Sequence, residues 1–241
     1  HMEMRSFEPE LDPENPKVGG LTFFVSLVFV SIIAIVNAYH LPALWDSVAF
    51  YNWTRFGMGF VIGGWFASLF LRNRLAVFIH ETKHAVLSGL VGNQAKAIKV
   101  QKHTGHYEYS YTKQTKRYNA FIALAPYWLP LFSFPCILIA LATGVTQQLL
   151  LMAVGAAYGA DTITNIREIS PTQTDLTGIR GGYKVALFYI IAINLCVLSI
   201  VAAWVCQGLY GLNYLLFGMW ELISDIVVVH YPGLVMYTNQ T

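Results

Sequence analysis

Residues 80–84, His80-Glu81-Thr82-Lys83-His84, have the pattern H-E-x-x-H within an otherwise apolar run, "FIHETKHAVLSG". On a helix, positions i and i+4 stand one turn apart on the same face, so both imidazoles can reach one metal ion. The intervening Glu81 then sits beside the ion, where it can take a proton from water and later deliver it to a leaving amine. Zinc suits such a site when three protein ligands leave a fourth position open. Ionisable side chains in apolar surroundings are costly unless something compensates them. A zinc ion would compensate His80, Glu81 and His84, but it leaves Lys83 unexplained.

The third ligand has to come from elsewhere in the chain, and the candidates are Asp161, Glu168, Asp175, Glu221 and Asp225. Asp175 is preferred because it lies in "SPTQTDLTG" just before a helix, with Gly178 permitting close backbone approach. Asp161 is the alternative, one turn before Asn165 at the end of an apolar run. Glu221 and Asp225 are one helical turn apart and read as a packing pair or interfacial carboxylates. His103 and His106 flank a turn and read as loop residues facing solvent.

Composition places these residues in a membrane. Of 241 residues, 56% are hydrophobic and 12% charged, roughly half the charged share of an ordinary soluble domain. Apolar runs at 20–38, 56–71, 75–91, 120–142, 149–160, 185–205 and 209–229 approach or reach the ~20 residues a spanning helix needs. The expected fold class is therefore an all-α polytopic membrane protein with six or seven transmembrane helices. Pro126, Pro130 and Pro135 should bend the run 120–142. Cys136, Cys196 and Cys206 have no paired spacing and give no disulfide framework. A net charge of +2 gives no support to nucleic-acid binding.

Two polar connections interrupt the apolar runs. In the first, Ile98 and Val100 alternate with polar residues, Thr104-Gly105 signals a turn, and Tyr107, Tyr109 and Tyr111 recur at a period of two. That pattern predicts a small β-hairpin over 96–112, inserted after the H-E-x-x-H helix. Its edge strand offers backbone pairing to an unwound segment of another protein. Lys96, Lys99, Lys102, Lys113, Lys116 and Arg117 cluster in this connection, which the positive-inside tendency assigns to the cytoplasm. The second connection, 161–182, is rich in Thr, Ser and Gly and reads as irregular backbone between helices. The resulting division is a disordered tail over 1–19, with residues 1–2 a purification-tag remnant, a membrane-embedded domain over 20–231, and a tail over 232–241.

The order of parts over residues 56–200 resembles the site-2 protease class of intramembrane zinc metalloproteases, the M50 peptidases, and especially their compact M50B-like branch. The parts are an H-E-x-x-H membrane helix, the hairpin "AIKVQKHTGHYEY", two further membrane helices, and an Asn-containing turn leading to an Asp at a helix start. The resemblance implies His80, His84 and Asp175 as zinc ligands, Glu81 as catalytic base, and Asn165 as a residue that holds substrate or the oxyanion. It also implies a transmembrane protein as substrate, the lipid bilayer as surroundings, and a bacterial inner membrane as location. The motif departs from the family pattern at Lys83, where the family commonly has Gly. Asp175-Leu176-Thr177-Gly178 stands where Asp-Gly is usual. From a different class, a non-catalytic membrane protein would use the same residue types. It could be a transporter with a metal or proton site, or a degenerate protease that binds helices without cutting them. Flux into liposomes without cleavage separates it from a peptidase.

Overall fold

The computed structural model describes residues 5–6, 17–101, 104–143 and 148–230. Most of the expected tails, His103 and the side chain of Asp225 lie outside the described residues. The chain begins with a two-residue strand β1 (Arg5–Ser6), then α1 (Leu21–His40) continuing into a 3-10 turn (Leu41–Leu44). Next come α2 (Ser47–Phe70), α3 (Arg74–Leu90), β2 (Gln94–Val100) and β3 (Gly105–Tyr111). The rest comprises α4 (Asn119–Leu124), α5 (Ser133–Thr143), α6 (Gln148–Arg167), the short α7 (Thr174–Thr177) and α8 (Gly182–His230).

Among the described residues, three helical stretches are long and apolar enough to cross a membrane: 21–44, 148–167 and 182–221. The number rises to four if α2 and α3, bent by 114° at a short break, count as one span. The expectation of six or seven is therefore too high, for two local reasons. At the α2–α3 break Asn73 takes φ 51°, a left-handed conformation that Asn tolerates better than most residues, so two apolar runs become one bent pair. The run 120–142 is broken rather than bent. Pro126 sits in a 3-10 turn after α4, Pro130 lies in the gap, and α5 is only 11 residues long. The runs 185–205 and 209–229 are both kept, as the two limbs of α8, which is broken at Gln207 and at Gly208, whose φ is 59°. A Cβ on Gly211 would overlap the Ala203 carbonyl, whereas eight residues of straight helix span about 12 Å. The chain thus folds back at this break.

The hairpin forms as the alternation requires. β2 and β3 pair antiparallel, with Ile98 opposite Tyr107 and Lys99 opposite His106, and a register shift between Ala95 and Ala97. Tyr107 and Tyr109 are buried on one face against Ile122, Ala85 and Leu87, which fastens the hairpin to α3 and α4. Arg5 and Ser6 pair with Tyr111 and Ser110, so β3 is the middle strand of the sheet.

α2 and α6 run parallel along a seam of small residues. A Cβ added at Gly59 would overlap the Met152 carbonyl, and one at Gly63 the Ala156 carbonyl. Reciprocally, Gly155 abuts the Phe56 carbonyl and Gly159 that of Phe60. Each helix therefore contributes a G-x-x-x-G pair that lets the backbones approach closely. At the end of the seam Arg167 donates to the Leu71 carbonyl at 2.7 Å and the Ser68 carbonyl at 3.3 Å, satisfying the last turn of α2. Outward-facing side chains on these elements are large and apolar. Phe24, Phe29, Ile32 and Ile35 on α1, with Val61, Ile62, Trp65 and Phe66 on α2, are all exposed, as a lipid-facing surface requires.

Because the seam has no room for a side chain, Gly63→Val should lower stability by about 1–3 kcal/mol through overpacking, seen as a lower thermal midpoint in detergent. Gly57, on the same helix, has open space around it, so Gly57→Ala should leave the midpoint unchanged or raise it.

Candidate metal centre

At about 100° per residue, α3 sends its ionisable side chains in three directions. His80 and His84 share one face, Glu81 lies to one side of them and Lys83 to the other. Glu81, Lys83 and His84 are all buried. Each direction meets a different part of the fold.

On the histidine face, Asp175 arrives from α7. Its Oδ2 lies 3.2 Å from His80 Nε2 and 3.4 Å from His84 Nε2, and the two Nε2 atoms are 3.2 Å apart. Four-coordinate tetrahedral bonding at about 2.0–2.1 Å would place ligand atoms roughly 3.3 Å from one another. The three separations match that spacing. His84 Nδ1 donates to the Ile122 carbonyl at 2.7 Å, which in the neutral imidazole leaves a lone pair on Nε2. Facing a carboxylate oxygen and a second imidazole nitrogen, that lone pair needs a proton or a cation between them. His80, His84 and Asp175 form a cluster that could hold a metal ion.

Asp175 owes its position to packing around it. Leu176 is fully buried among Leu124, Tyr127, Ile179 and Tyr189, which pins α7. Val18 forms a parallel bridge to Ile179, accepting from Arg180 N at 2.8 Å and donating to the Gly178 carbonyl at 2.9 Å. Residues 17–19, which composition assigns to the tail, thus help to hold the ligand loop. Burial works against ionisation of Asp175, but the adjacent imidazoles outweigh it and hold the carboxyl well below its usual range. Burial pushes the Tyr127 phenol up, so it stays protonated and donates to Asp175 Oδ2 at 3.4 Å. The Tyr127 ring also meets His80 edge-on, with centroids 5.8 Å apart.

On the second side, Glu81 opens into a cavity of about 240 Å3 shared with His80, His84 and Asp175. The hairpin closes over it. A Cβ on Gly105 would strike the Glu81 carboxylate and Val77, so only glycine lets the strand approach this closely. His106, Tyr107 and Tyr109 continue the wall. His106 was expected to be a solvent-facing loop residue, yet it lines this cavity and lies 3.8 Å from Glu108.

On the third side, Lys83 is among the most deeply buried side chains of the protein. It donates to the Asn165 side-chain oxygen, to Thr164 Oγ1 at 3.3 Å and to the Pro126 carbonyl at 3.5 Å. The compensation that the sequence leaves open is therefore a set of neutral oxygens from α6 and the proline turn. Asn165, expected to hold substrate or the oxyanion, has its oxygen on Lys83 and does not line the cavity. Asp161, the alternative ligand, faces away from the histidines. It accepts from Phe132 N at 3.0 Å, and from Ser133 N and Ser133 Oγ at 2.7 Å each, capping the start of α5. Glu221 is exposed.

Tyr127 carries no signal in the sequence, and Gly105 reads there only as part of a turn. The repeated G-x-x-x-G spacing at 59–63 and 155–159 is the one cue that was visible and passed over. Comparison of the chain with protein-family models, curated proteins and solved structures gives no match.

The geometry separates the two aspartates. Metal bound to the purified protein, measured by elemental analysis, should be lost in His80→Ala and Asp175→Ala. It should be retained in Asp161→Asn, which instead should lose about 1–3 kcal/mol of stability by weakening the α5 cap. Loss of metal in Asp161→Asn with retention in Asp175→Ala would reverse the assignment.

Proposed function

We propose that the protein is a zinc-dependent intramembrane endopeptidase of the site-2 protease type, cutting peptide bonds in or near transmembrane segments of other membrane proteins. The observation that carries this reading is the placement of Glu81. Its carboxylate faces the same cavity as three ligand atoms whose separations fit tetrahedral zinc. Zinc in a three-ligand site supplies a Lewis acid and makes water acidic enough to yield a nucleophile near neutral pH.

The protein's own residues do the rest. His84 is held by the Ile122 carbonyl and Asp175 by Tyr127, so both present lone pairs in fixed directions. Glu81 accepts a proton from water in the cavity and returns it to the leaving nitrogen. The hairpin at Gly105 limits the space around that carboxylate, which keeps it beside the reacting atoms. An incoming peptide must be unwound before its carbonyls can reach this depth. Gly105, His106 and Tyr107 of β3 line the cavity, and backbone pairing to this strand would hold a substrate extended. The apolar outer faces of α1 and α2 suit a multi-pass protein in a bilayer, where such substrates reside.

Glu81→Gln keeps the shape of the side chain and removes the base. Purified in detergent and given a transmembrane reporter, this variant should cleave at least about 100-fold more slowly while keeping its zinc. Undiminished cleavage by Glu81→Gln would exclude the proposal, and so would absence of cleavage by a zinc-loaded wild type towards a panel of transmembrane segments.

A further inference from the structure

The two histidines differ on the side away from Asp175. His84 Nδ1 has the Ile122 carbonyl at 2.7 Å, but His80 Nδ1 is buried with no hydrogen-bond partner among the described residues. What faces it is a carboxylate, with Glu168 Oε2 at 4.0 Å. A small cavity of about 10 Å3 is lined by His80, Lys83, Thr164 and Glu168, close to the least space that holds one water. Glu168 directly follows Arg167, whose guanidinium is tied to the end of α2, so its backbone is held in place.

We propose that Glu168 is the positioning residue for His80. Its carboxylate accepts the Nδ1 proton, directly or through one water in the small cavity, and so fixes the tautomer whose lone pair is on Nε2. Glu168 is not itself a ligand, because it faces Nδ1 while Asp175 and His84 gather at Nε2, across the ring. A ligating imidazole commonly has such a partner on its second nitrogen, which orients the ring and raises its basicity. His84 has a neutral carbonyl in that role, whereas an anionic partner on His80 would make it the stronger donor of the pair. Glu168 also lines the main cavity, so it can adjust between the two spaces without any movement of α6.

The inference rests on reading His80, His84 and Asp175 as a zinc site, and its test reads zinc affinity rather than cleavage. The full chain, purified in detergent and stripped of metal, is titrated with zinc against a chelating dye. Wild type should bind one equivalent. Glu168→Ala should still bind one equivalent at saturation, with affinity lower by about 10- to 100-fold. Glu168→Gln preserves size and fold and keeps an acceptor oxygen, so its affinity should fall between the two. Thermal midpoints of the metal-free proteins, expected to be alike, show that folding does not explain the difference. Wild-type affinity in both variants would overturn the role of Glu168 and leave the three-ligand site standing. Loss of the equivalent in both, with unchanged midpoints, would make Glu168 a ligand and also overturn it. No zinc binding by wild type would remove the site reading and this inference together.

Discussion

The structure is organised around a need to compensate ionisable side chains that α3 carries into apolar surroundings. An unpartnered charge there costs several kcal/mol, more than most single packing defects. The helix resolves this by separating its polar groups in angle. His80 and His84 meet Asp175, Glu81 opens to a cavity, and Lys83 meets neutral oxygens on α6 and the proline turn. Each partner belongs to a different element, so the demands of one helix dictate where α4, α6, α7 and the hairpin must lie.

α6 answers two of these demands at once, which explains why it is held so closely. Its Thr164 and Asn165 receive Lys83, and its Asp161 caps α5. A small displacement would leave a buried ammonium and a buried carboxylate short of partners together. The glycine seam with α2 sets the backbone separation, and Arg167 fixes the axial position by holding the last carbonyls of α2. Lys83 thus spans the gap between α3 and α6 with a buried ammonium.

How much of this could be read from the sequence varied with the range of the interaction. H-E-x-x-H places two histidines and a glutamate by helical geometry alone, and the tyrosine alternation placed the hairpin because period two is a local property. Asp175 was picked out from its turn context and lies with the histidines, although the chain separates it from His80 by 95 residues. The number of spans was misjudged because hydropathy counts apolar length and does not see direction. Asn73 and Pro130 each change the course of the chain without lowering the apolar content around them. Partners supplied by backbone, such as the Ile122 and Pro126 carbonyls, leave no trace in residue identity. Asn165 illustrates the opposite risk, since a residue read as part of a turn lies in α6 with its oxygen committed to Lys83.

The way Asp175 is held bears on how the centre would bind an ion. Two ligands come from one turn of a rigid helix, and the third from a loop whose position follows from burial of Leu176 and from the bridge to Val18. Neither anchor involves a ligand atom. The loop therefore needs no metal to reach the histidines, and the ordering entropy of the third ligand is offset by apolar burial and backbone pairing rather than by binding. A centre arranged in this way takes up an ion without refolding. That distinguishes it from small zinc domains in which the ion drives folding.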